Sequence, residues 1–225
     1  MVESIREISK REALAFIMPR HYAGRKPQIS VAFGWFVDNN LCAVITYGKP
    51  ASNQLCNGIC GKENSKNVWE LNRMCRKDDF TLPLSHFVSK TLKMLSALNI
   101  IVVSYSDTAM NHHGYVYQAC NFLYTGCTKE RTDKYTIGNK HSRHYNDMDQ
   151  CGARKVRSPK HRYVYFCTNS KKIRKQWLND LKYPILPYPK GDNSNYILGE
   201  YMNQKIVGKI NKINMETDYN VENLF

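Results

Sequence analysis

The chain has 225 residues, of which 42% are hydrophobic and 12% aromatic, and its formal net charge is +14. This apolar fraction is large enough for a folded core and excludes a wholly disordered chain. No apolar run approaches the ~20 residues that cross a bilayer, so we expect no membrane-spanning segment. The charged stretch from Met1 to Lys10 is unlike a signal peptide, and the eight cysteines are irregularly spaced. We therefore expect a cytoplasmic protein with mostly reduced thiols.

The N-terminal third predicts a helix, a β-hairpin and a loop. Ser9 to Met18 has helical periodicity, with Ser9 at the N-cap position. Two strand-like runs, Gln28 to Val37 and Leu41 to Tyr47, flank an Asp-Asn-Asn turn and therefore predict a hairpin. Lys49 to Asn67 is rich in Gly, Asn, Ser and Lys, which is typical of a loop.

A strand, helix, strand, helix unit follows. Trp69 to Arg76 alternates as a half-buried strand does, and Phe87 to Leu98 has apolar residues at three- and four-residue steps. Ile100 to Tyr105 is a β-branched run typical of a buried strand. Tyr115 to Tyr124 predicts a second helix, with Gly126 where helices commonly stop. Because a helix connects the two strands, we predict an α/β fold in which they are parallel neighbours.

Polar side chains cluster at the carboxyl ends of both predicted strands, where open α/β sheets bind their ligands. An arginine there could bind a carboxylate or a phosphate of a ligand bidentately, or could pair structurally with Glu70 or Asp79. Any one of these residues could equally be an ordinary solvated strand end, but the cluster as a whole favours a ligand site. The candidates for binding a cofactor or donor are Arg73, Arg76, Ser104 and Ser106, with Asp107 beside them.

The C-terminal half is predicted to alternate strands with polar connections. The predicted elements are strands within Thr125 to Ile137 and His161 to Cys167, a long loop from His141 to Pro159 that orders on a partner, a basic helix from Lys171 to Leu181, an extended segment from Tyr183 to Pro189, and a tail from Lys205 to Phe225.

The segment from Lys129 to Lys175 is strongly basic, with 14 Lys or Arg against 4 Asp or Glu. Tyrosines and histidines are interleaved with these charges, which is typical of a nucleic-acid-binding face. The alternatives are a solvated surface of a basic protein and, less favoured, an anionic membrane surface. The candidate phosphate-binding residues are Arg154, Lys155, Arg157, Lys160 and Arg162.

Four strings in the sequence resemble the Mom family of phage DNA-modification proteins, which has a GNAT-like fold: HYAGRKP, WELNRMCRKDD, SYSDTAMNHHGYVYQACNFLYTG and SPKHRYVYF. The resemblance covers roughly residues 20 to 190. It implies a GNAT-like catalytic domain over residues 1–190, with a mixed sheet splayed at its parallel central pair, and a C-terminal extension over 191–225. It also implies an enzyme that converts adenine in double-stranded DNA to N6-carbamoylmethyladenine in the bacterial host cytoplasm, shielding the DNA from restriction nucleases.

The resemblance also implies a site. By motif, His21 and Tyr22 match a His-Tyr pair in the N-terminal loop, Asp107 an aspartate after the second strand, and Tyr117 a tyrosine on the next helix. Arg73 matches the arginine of the family's ELNR string. Iron is implied as a possible metal, with His21 and Asp107 as its ligands. Since a ligating imidazole is neutral, we expect activity to fall below the free-histidine range near ~6.5.

The residues themselves bear on the donor and the target base. The turn RKDDFTLPLS, before the central helix, has no glycine and carries two aspartates, which argues against a coenzyme A pyrophosphate and leaves the donor open. Gln118 and Asn121 could hydrogen-bond an adenine edge or tie their helix to a loop. A concave site requires an extruded base, on which Tyr22, Tyr105, Tyr115 or Tyr117 could stack.

Two other functions remain open at this point. One is a GNAT-type acyltransferase for another amine, and the other is a DNA-binding protein without catalysis. The missing glycine turn counts against the first, and the polar cluster at the strand ends counts against the second. The sequence leaves the oligomeric state open, with a homodimer as one possibility.

Overall fold

A computed structural model describes residues 2–23, 25–136, 150–192 and 206–207 of the chain. The N-terminal strand β1 (Glu3–Ile8) leads directly into helix α1 (Lys10–Ile17). The Ser9 hydroxyl accepts a hydrogen bond from the backbone N–H of Glu12, and the Glu12 carboxylate accepts one from the backbone N–H of Ser9. This reciprocal pair satisfies two donors at the helix start and confirms Ser9 as the N-cap. Strand β1 was not predicted from the sequence, because it is an edge strand that buries only Ile8.

The predicted hairpin is present as β2 (Val31–Val37) and β3 (Asn40–Gly48). Asp38 and Asn39 both have positive φ, at 46° and 66°, as a two-residue hairpin turn requires. The next segment, which we expected to be a loop, instead contains helix α2 (Asn53–Cys60). Its buried side chains are Cys56, Ile59 and Cys60, so cysteines supply most of an apolar face that is otherwise surrounded by polar residues.

The central parallel pair is confirmed. Strand β4 (Val68–Arg76) and strand β5 (Ile100–Asp107) are parallel neighbours connected by helix α3 (Leu84–Leu95). Their pairing runs from Val68 opposite Ile101 to Leu71 opposite Ser104 and then stops, although both strands continue. The two strands therefore splay apart at their carboxyl ends, as expected for this fold class.

A bulge in β4 sets which side chains face each side of the sheet. Tyr47 of β3 is opposite Leu71, but the next pair is Thr46 with Arg73, so Asn72 has no partner. The extra residue shifts the alternation of side chains by one position. As a result Glu70 and Arg73, three residues apart, lie on the same face of the sheet.

The structure shortens the helix predicted from Tyr115 to Tyr124. Helix α4 covers only Tyr115–Ala119, and Asn121 follows it with a φ of 57°. Gly126 does not end a helix, because it lies in strand β6 (Leu123–Cys127), where the register with strand β9 (Lys160–Cys167) shifts. The seven-stranded mixed sheet has the order β1-β2-β3-β4-β5-β9-β6.

A second sheet occupies part of the region expected to be a loop and a tail. Strand β7 (Arg131–Thr136) pairs antiparallel with β8 (Gln150–Arg157), and β10 (Ile206–Val207) pairs with the other edge of β8. The rest of the predicted loop up to residue 149, and most of the tail, lie outside the described residues. Helix α5 (Lys171–Asp180) follows β9 as predicted. The segment at 183–189 is extended, with Leu186 donating to the Tyr124 carbonyl.

The main sheet is covered on both faces. One core cluster packs beneath α3 and α4 and contains Trp35, Tyr47, Phe87, Phe122 and Tyr163. On the opposite face, α1 covers one cluster and α2 and α5 cover another around Ile59 and Trp177. Within the described residues, no helix is both long and apolar enough to span a membrane.

The packing of α3 makes a stability prediction. Phe87 is fully buried on α3, whereas Met94 on the same helix is 49% exposed. We expect Phe87→Ala to lower the free energy of unfolding by about 3–5 kcal/mol, because it removes core contacts and leaves a cavity. Met94→Ala, as the control, should change it by no more than about 0.5 kcal/mol. Urea denaturation measures both values, and equal effects would contradict this placement of α3.

Candidate functional site

The separation of β4 and β5 opens a cleft with a volume of about 1060 Å³. At the last paired position, the Ser104 hydroxyl donates to the Leu71 carbonyl at 2.9 Å and so closes the inner end of the gap. Beyond this point the cleft is lined by the ends of both strands, the N-terminal loop, α4 and the turn between β8 and β9. The expected site residues found along it are His21, Tyr22, Arg73, Arg76, Ser106, Asp107, Tyr117, Lys155, Arg157 and Lys160.

Asp107 is buried and fully engaged by its neighbours. Its Oδ1 accepts a hydrogen bond from the backbone N–H of Ala109 at 3.1 Å and another from the Ser158 hydroxyl. Its Oδ2 forms an ion pair with Lys160. These contacts connect the end of β5 to the β8–β9 turn. Lys160 therefore acts as the counter-ion of Asp107 rather than as a free phosphate contact.

The His-Tyr pair forms an aromatic wall at the N-terminal side of the cleft. The rings of His21 and Tyr22 stack with centroids 4.6 Å apart, and the Tyr22 ring meets His112 edge-on at 6.0 Å. Burial, together with the positive charges of Arg73, His112 and Lys160, lowers the pKa of His21 to about 3. The imidazole is therefore neutral at all ordinary pH values. The loss of activity expected near ~6.5 cannot come from protonation of His21.

The side chains expected to hold iron do not fit that role in this arrangement. The Nδ1 of His21 accepts a hydrogen bond from the backbone N–H of Ala23 at 3.1 Å, so the neutral ring carries its proton on Nε2. A metal-bound imidazole instead donates from its second nitrogen. Both carboxylate oxygens of Asp107 already have protein partners. Within the described ranges, no three His, Cys, Asp or Glu side chains group as a metal site. Iron stays a prediction of the resemblance.

Arg73 is held by backbone carbonyls rather than by a carboxylate. Its Nη1 donates to the Asn72 carbonyl at 2.6 Å and its Nη2 to the Arg25 carbonyl at 3.2 Å. Its Nε is buried without a hydrogen-bond partner. Among the described residues, the structure shows no ion pair between Arg73 and either Glu70 or Asp79. The guanidinium therefore holds the N-terminal loop against the β4 bulge and keeps one donor unused.

The other residues expected to bind a donor have different surroundings. The Ser106 hydroxyl is buried in the cleft wall without a hydrogen-bond partner, so it is available to a ligand. Arg76 also lines the cleft, and its Nη1 lies 3.5 Å from the Leu82 carbonyl. Ser104 is outside the cleft lining, because its hydroxyl is used in the hydrogen bond to Leu71.

Tyr117 reaches the cleft from α4 while its ring packs in the core. The ring centroid lies 5.4 Å from that of Phe122 and 5.3 Å from that of Tyr163. Burial raises the pKa of Tyr117 to about 12, although a hydrogen bond with Ser104 opposes this shift. The hydroxyl is therefore a neutral proton donor at physiological pH.

Glu70 also lines the cleft, although the sequence predicts it only as a structural partner for Arg73. Its side chain is half-buried, and the structure gives it no hydrogen bond or ion pair with any described residue. Burial raises the pKa of Glu70, while Arg73 and Lys160 act in the opposite direction. The sequence feature that indicates a functional role for Glu70 is its position between the apolar residues Trp69 and Leu71 of a central strand.

The basic side of the cleft consists of Arg25, Lys155 and Arg157, named here the basic wall. Burial lowers the pKa of Lys155 to about 8, with further lowering from Arg25 and Arg157. Arg157 has a partner in Asp133 at 3.4 Å. A half-buried cluster of like charges with one carboxylate partner is unfavourable by itself, and it is suited to an anionic ligand.

Four other expected site residues lie outside the cleft lining. Arg154 lies on the exposed side of β8 and donates to Thr132. Arg162 donates to Thr125, and its guanidinium stacks 3.4 Å from the ring centroid of Tyr183. Gln118 donates to the carbonyls of His113 and Pro189 and therefore ties α4 to the C-terminal extended segment. Asn121 is an exposed turn residue and does not share a helix face with Gln118, because α4 ends before it.

The whole-chain comparison agrees with the motifs. The model of the Mom protein family matches residues 3–190, which is most of the chain. The chain belongs to the Mom protein family. This membership places the protein among DNA-modification transferases and implies DNA as its substrate. No curated protein matches the chain.

Several solved acetyltransferases resemble this Mom family member in structure. An N-acetyltransferase from Staphylococcus aureus Mu50 has 10% identity and a TM-score of 0.48, over 75% of this chain and 100% of that one. The putative acetyltransferase yncA from Salmonella typhimurium, with its cofactor acetyl-CoA, has 7% identity and a TM-score of 0.48, over 76% and 96%. A Bacillus subtilis acetyltransferase in complex with CoA has 12% identity and a TM-score of 0.41, over 73% and 97%.

The neutral state of His21 can be measured directly. We expect its imidazole NMR signals to show no titration between pH 8 and 5 in the folded protein, and to titrate near ~6.5 in denaturant. Because the folded-state pKa lies below the unfolded value, the wild type should lose stability as pH falls through this window. His21→Gln should lose less over the same range. A His21 signal that titrates near ~6.5 in the folded protein would contradict the buried, neutral ring.

Proposed function

We propose that this member of the Mom family transfers a group to the N6 amine of adenine in double-stranded DNA, giving N6-carbamoylmethyladenine and so shielding the DNA from restriction nucleases. The observation that supports this most strongly is the charge of the cleft. Eight Lys or Arg side chains line it against four Asp or Glu, so it attracts an anionic substrate. Its volume also equals that of large ligand sites, which leaves room for an extruded base and a donor.

The base enters the cleft and the DNA backbone stays outside it. The adenine N6 amine cannot reach a concave site while the base is stacked in a duplex, so the base is extruded. Tyr22 is already stacked on His21 at the cleft wall and offers its ring to the extruded adenine. The flanking phosphates then contact the basic wall, where a phosphate relieves the repulsion between Arg25, Lys155 and Arg157.

The transfer forms a bond between N6 and an electrophilic carbon of the donor, while the leaving group departs with the electrons of the broken bond. Tyr117 lines the cleft from α4 and is placed to give its hydroxyl proton to that leaving group. The burial that raises its pKa to about 12 makes it a weaker acid than an exposed tyrosine, so the donation takes place as the leaving group becomes basic. Asp107 and Lys160 hold the β8–β9 turn against the end of β5 and so position the basic wall over the cleft. The donor itself is left open, and Asp78 at the cleft disfavours a pyrophosphate there.

Nucleoside mass spectrometry of plasmid DNA from cells that express the protein tests this function. We expect a new adenosine species with the mass of the carbamoylmethyl addition. Tyr117→Phe should lower its yield by roughly 10²–10⁴-fold, because the phenyl ring keeps the packing but has no proton to donate. The control is Tyr124→Phe, which removes a hydroxyl that bonds His161 outside the cleft, and it should retain modification. Unmodified DNA from well-expressed wild type would contradict the proposal.

The basic wall makes a separate prediction about DNA binding. Lys155 lines the cleft, whereas its neighbour Arg154 lies on the exposed side of the same strand. We expect Lys155→Gln to weaken duplex binding and to reduce the slope of log affinity against log salt by about 1, because one phosphate contact is lost. Arg154→Gln should change the slope less. Fluorescence anisotropy over a salt series measures both variants, and equal losses would show that the wall is not the phosphate contact.

A further inference from the structure

Glu70 is the carboxylate that enters the inner part of the cleft without a partner. It lies on β4 opposite Val103, one residue before the last parallel pair, so its backbone is fixed by the sheet on both sides. Its side chain lines the cleft and is half-buried. The bulge at Asn72 places it on the same face as Arg73.

The cations near Glu70 are bound elsewhere. The Arg73 guanidinium donates to the carbonyls of Asn72 and Arg25, and Lys160 pairs with Asp107. Within the described part of the chain, neither forms an ion pair with Glu70. Both lone-pair sets of the Glu70 carboxylate are therefore available to a ligand in the cleft.

The groups that surround Glu70 come from five elements. Arg73 of β4 and Lys160 of β9 favour its charged form, whereas burial disfavours it more strongly. Tyr105 of β5, Tyr117 of α4 and Cys56 of α2 also interact with its charge. The net result is that the pKa of Glu70 is raised above the ordinary glutamate value of 4.5. A carboxylate that is more basic than usual and desolvated is suited to accept a proton.

We propose that Glu70 is the catalytic base that takes the proton from the N6 amine of the extruded adenine. As N6 forms its new bond to the electrophilic carbon of the donor, one N6–H proton moves to the Glu70 carboxylate. The N–H bonding electrons stay on nitrogen, the leaving group departs with its own pair, and the Glu70 acid later returns its proton to solvent. This role rests on the proposed function and adds the proton acceptor that a delocalised, weakly nucleophilic amine needs.

As candidate bases, His21 and the other carboxylates that line the cleft are occupied or exposed. The only lone pair of neutral His21 in its present tautomer is on Nδ1, which already accepts from Ala23. Asp107 is saturated by Ala109, Ser158 and Lys160. Asp78 and Glu130 also line the cleft but are exposed to solvent, where water competes for their lone pairs.

The test compares Glu70→Gln, Glu70→Asp and, as a control, Glu63→Gln, which changes an exposed glutamate outside the cleft lining. Modification rates of plasmid duplex DNA are measured against pH in a buffered extract of the host cells, which supplies the donor, and duplex affinity is measured with the purified protein. We expect the wild-type rate to rise with pH and to level off above the raised pKa of Glu70. Glu70→Gln should be slower by roughly 10²–10⁴-fold, and its rate should not show this rise with pH, while its DNA affinity is unchanged. Glu70→Asp should be slow, but its rate should still rise with pH. Glu63→Gln should have the rate and the pH profile of the wild type.

Thermal unfolding supplies a readout that is independent of activity. A carboxyl whose folded-state pKa is raised binds more protons when folded, so the wild type should gain stability as pH falls toward the unfolded value. Glu70→Gln should lack this gain and should be at least as stable as the wild type at pH 7. A merely structural Glu70 would instead leave Glu70→Gln less stable.

The outcomes separate the two proposals. The role of Glu70 is overturned, and the proposed function stays intact, if the wild type modifies DNA and Glu70→Gln is equally fast. The same holds if Glu70→Gln is slow but its rate still rises with pH as the wild-type rate does. A wild type that binds duplex DNA but modifies no adenine overturns the proposed function and this role with it. The expected rates, pH profiles and stabilities support both the proposed function and the role of Glu70.

Discussion

The extra residue in β4 is the constraint on which the rest of the site depends. Asn72 has no register partner in the backbone pairing with β3. Its side chain instead accepts a hydrogen bond from the Thr46 hydroxyl at 2.6 Å and donates one to the Gln28 carbonyl at 2.7 Å. These two bonds fix the bulge where the parallel pairing between β4 and β5 ends. In a regular strand, residues three apart point to opposite faces. Because of the bulge, Glu70 and Arg73 point to the same face of the sheet, and the strand bends away from β5 to open the cleft.

Three carboxylates in or near this cleft show how environment assigns different roles to the same chemical group. Asp107 is held by a lysine, a serine and a backbone N–H, so it acts as a structural anchor for the β8–β9 turn. Glu70 has no such partner, and burial makes its pKa higher. Asp133 outside the cleft neutralises Arg157 of the basic wall. The distance of each carboxylate from a cation would not distinguish these roles. The hydrogen bonds and ion pairs that each carboxylate accepts do distinguish them.

The sequence predicted the parts of the fold that depend on local periodicity. The hairpin, the parallel pair and the basic helix α5 follow from alternation, β-branching and turn residues within a short window. Helix α2 was missed because cysteines carry its buried face, and β8 was missed because its alternation is masked by charge. The site was predictable in part, since strand ends gather in any parallel pair. The role of Glu70 was not, because it follows from a bulge that requires a comparison of β3 with β4 across some 25 residues of sequence.

Several unfavourable features of the described residues lie around the cleft. The buried Nε of Arg73 and the buried hydroxyl of Ser106 have no hydrogen-bond partner there, the basic wall repels itself, and Glu70 carries an unpaired charge. Elsewhere, Asn64 is paired with the Trp177 indole, the Cys60 carbonyl and Asp180, although the Trp35 indole N–H is also buried without a partner. A fold selected for stability alone would satisfy or replace such groups, because each unpaired buried polar atom costs about 1–3 kcal/mol. Their occurrence together is explained if a ligand completes them: phosphates for the basic wall, a polar donor group for Arg73 and Ser106, and the proton of the target amine for Glu70.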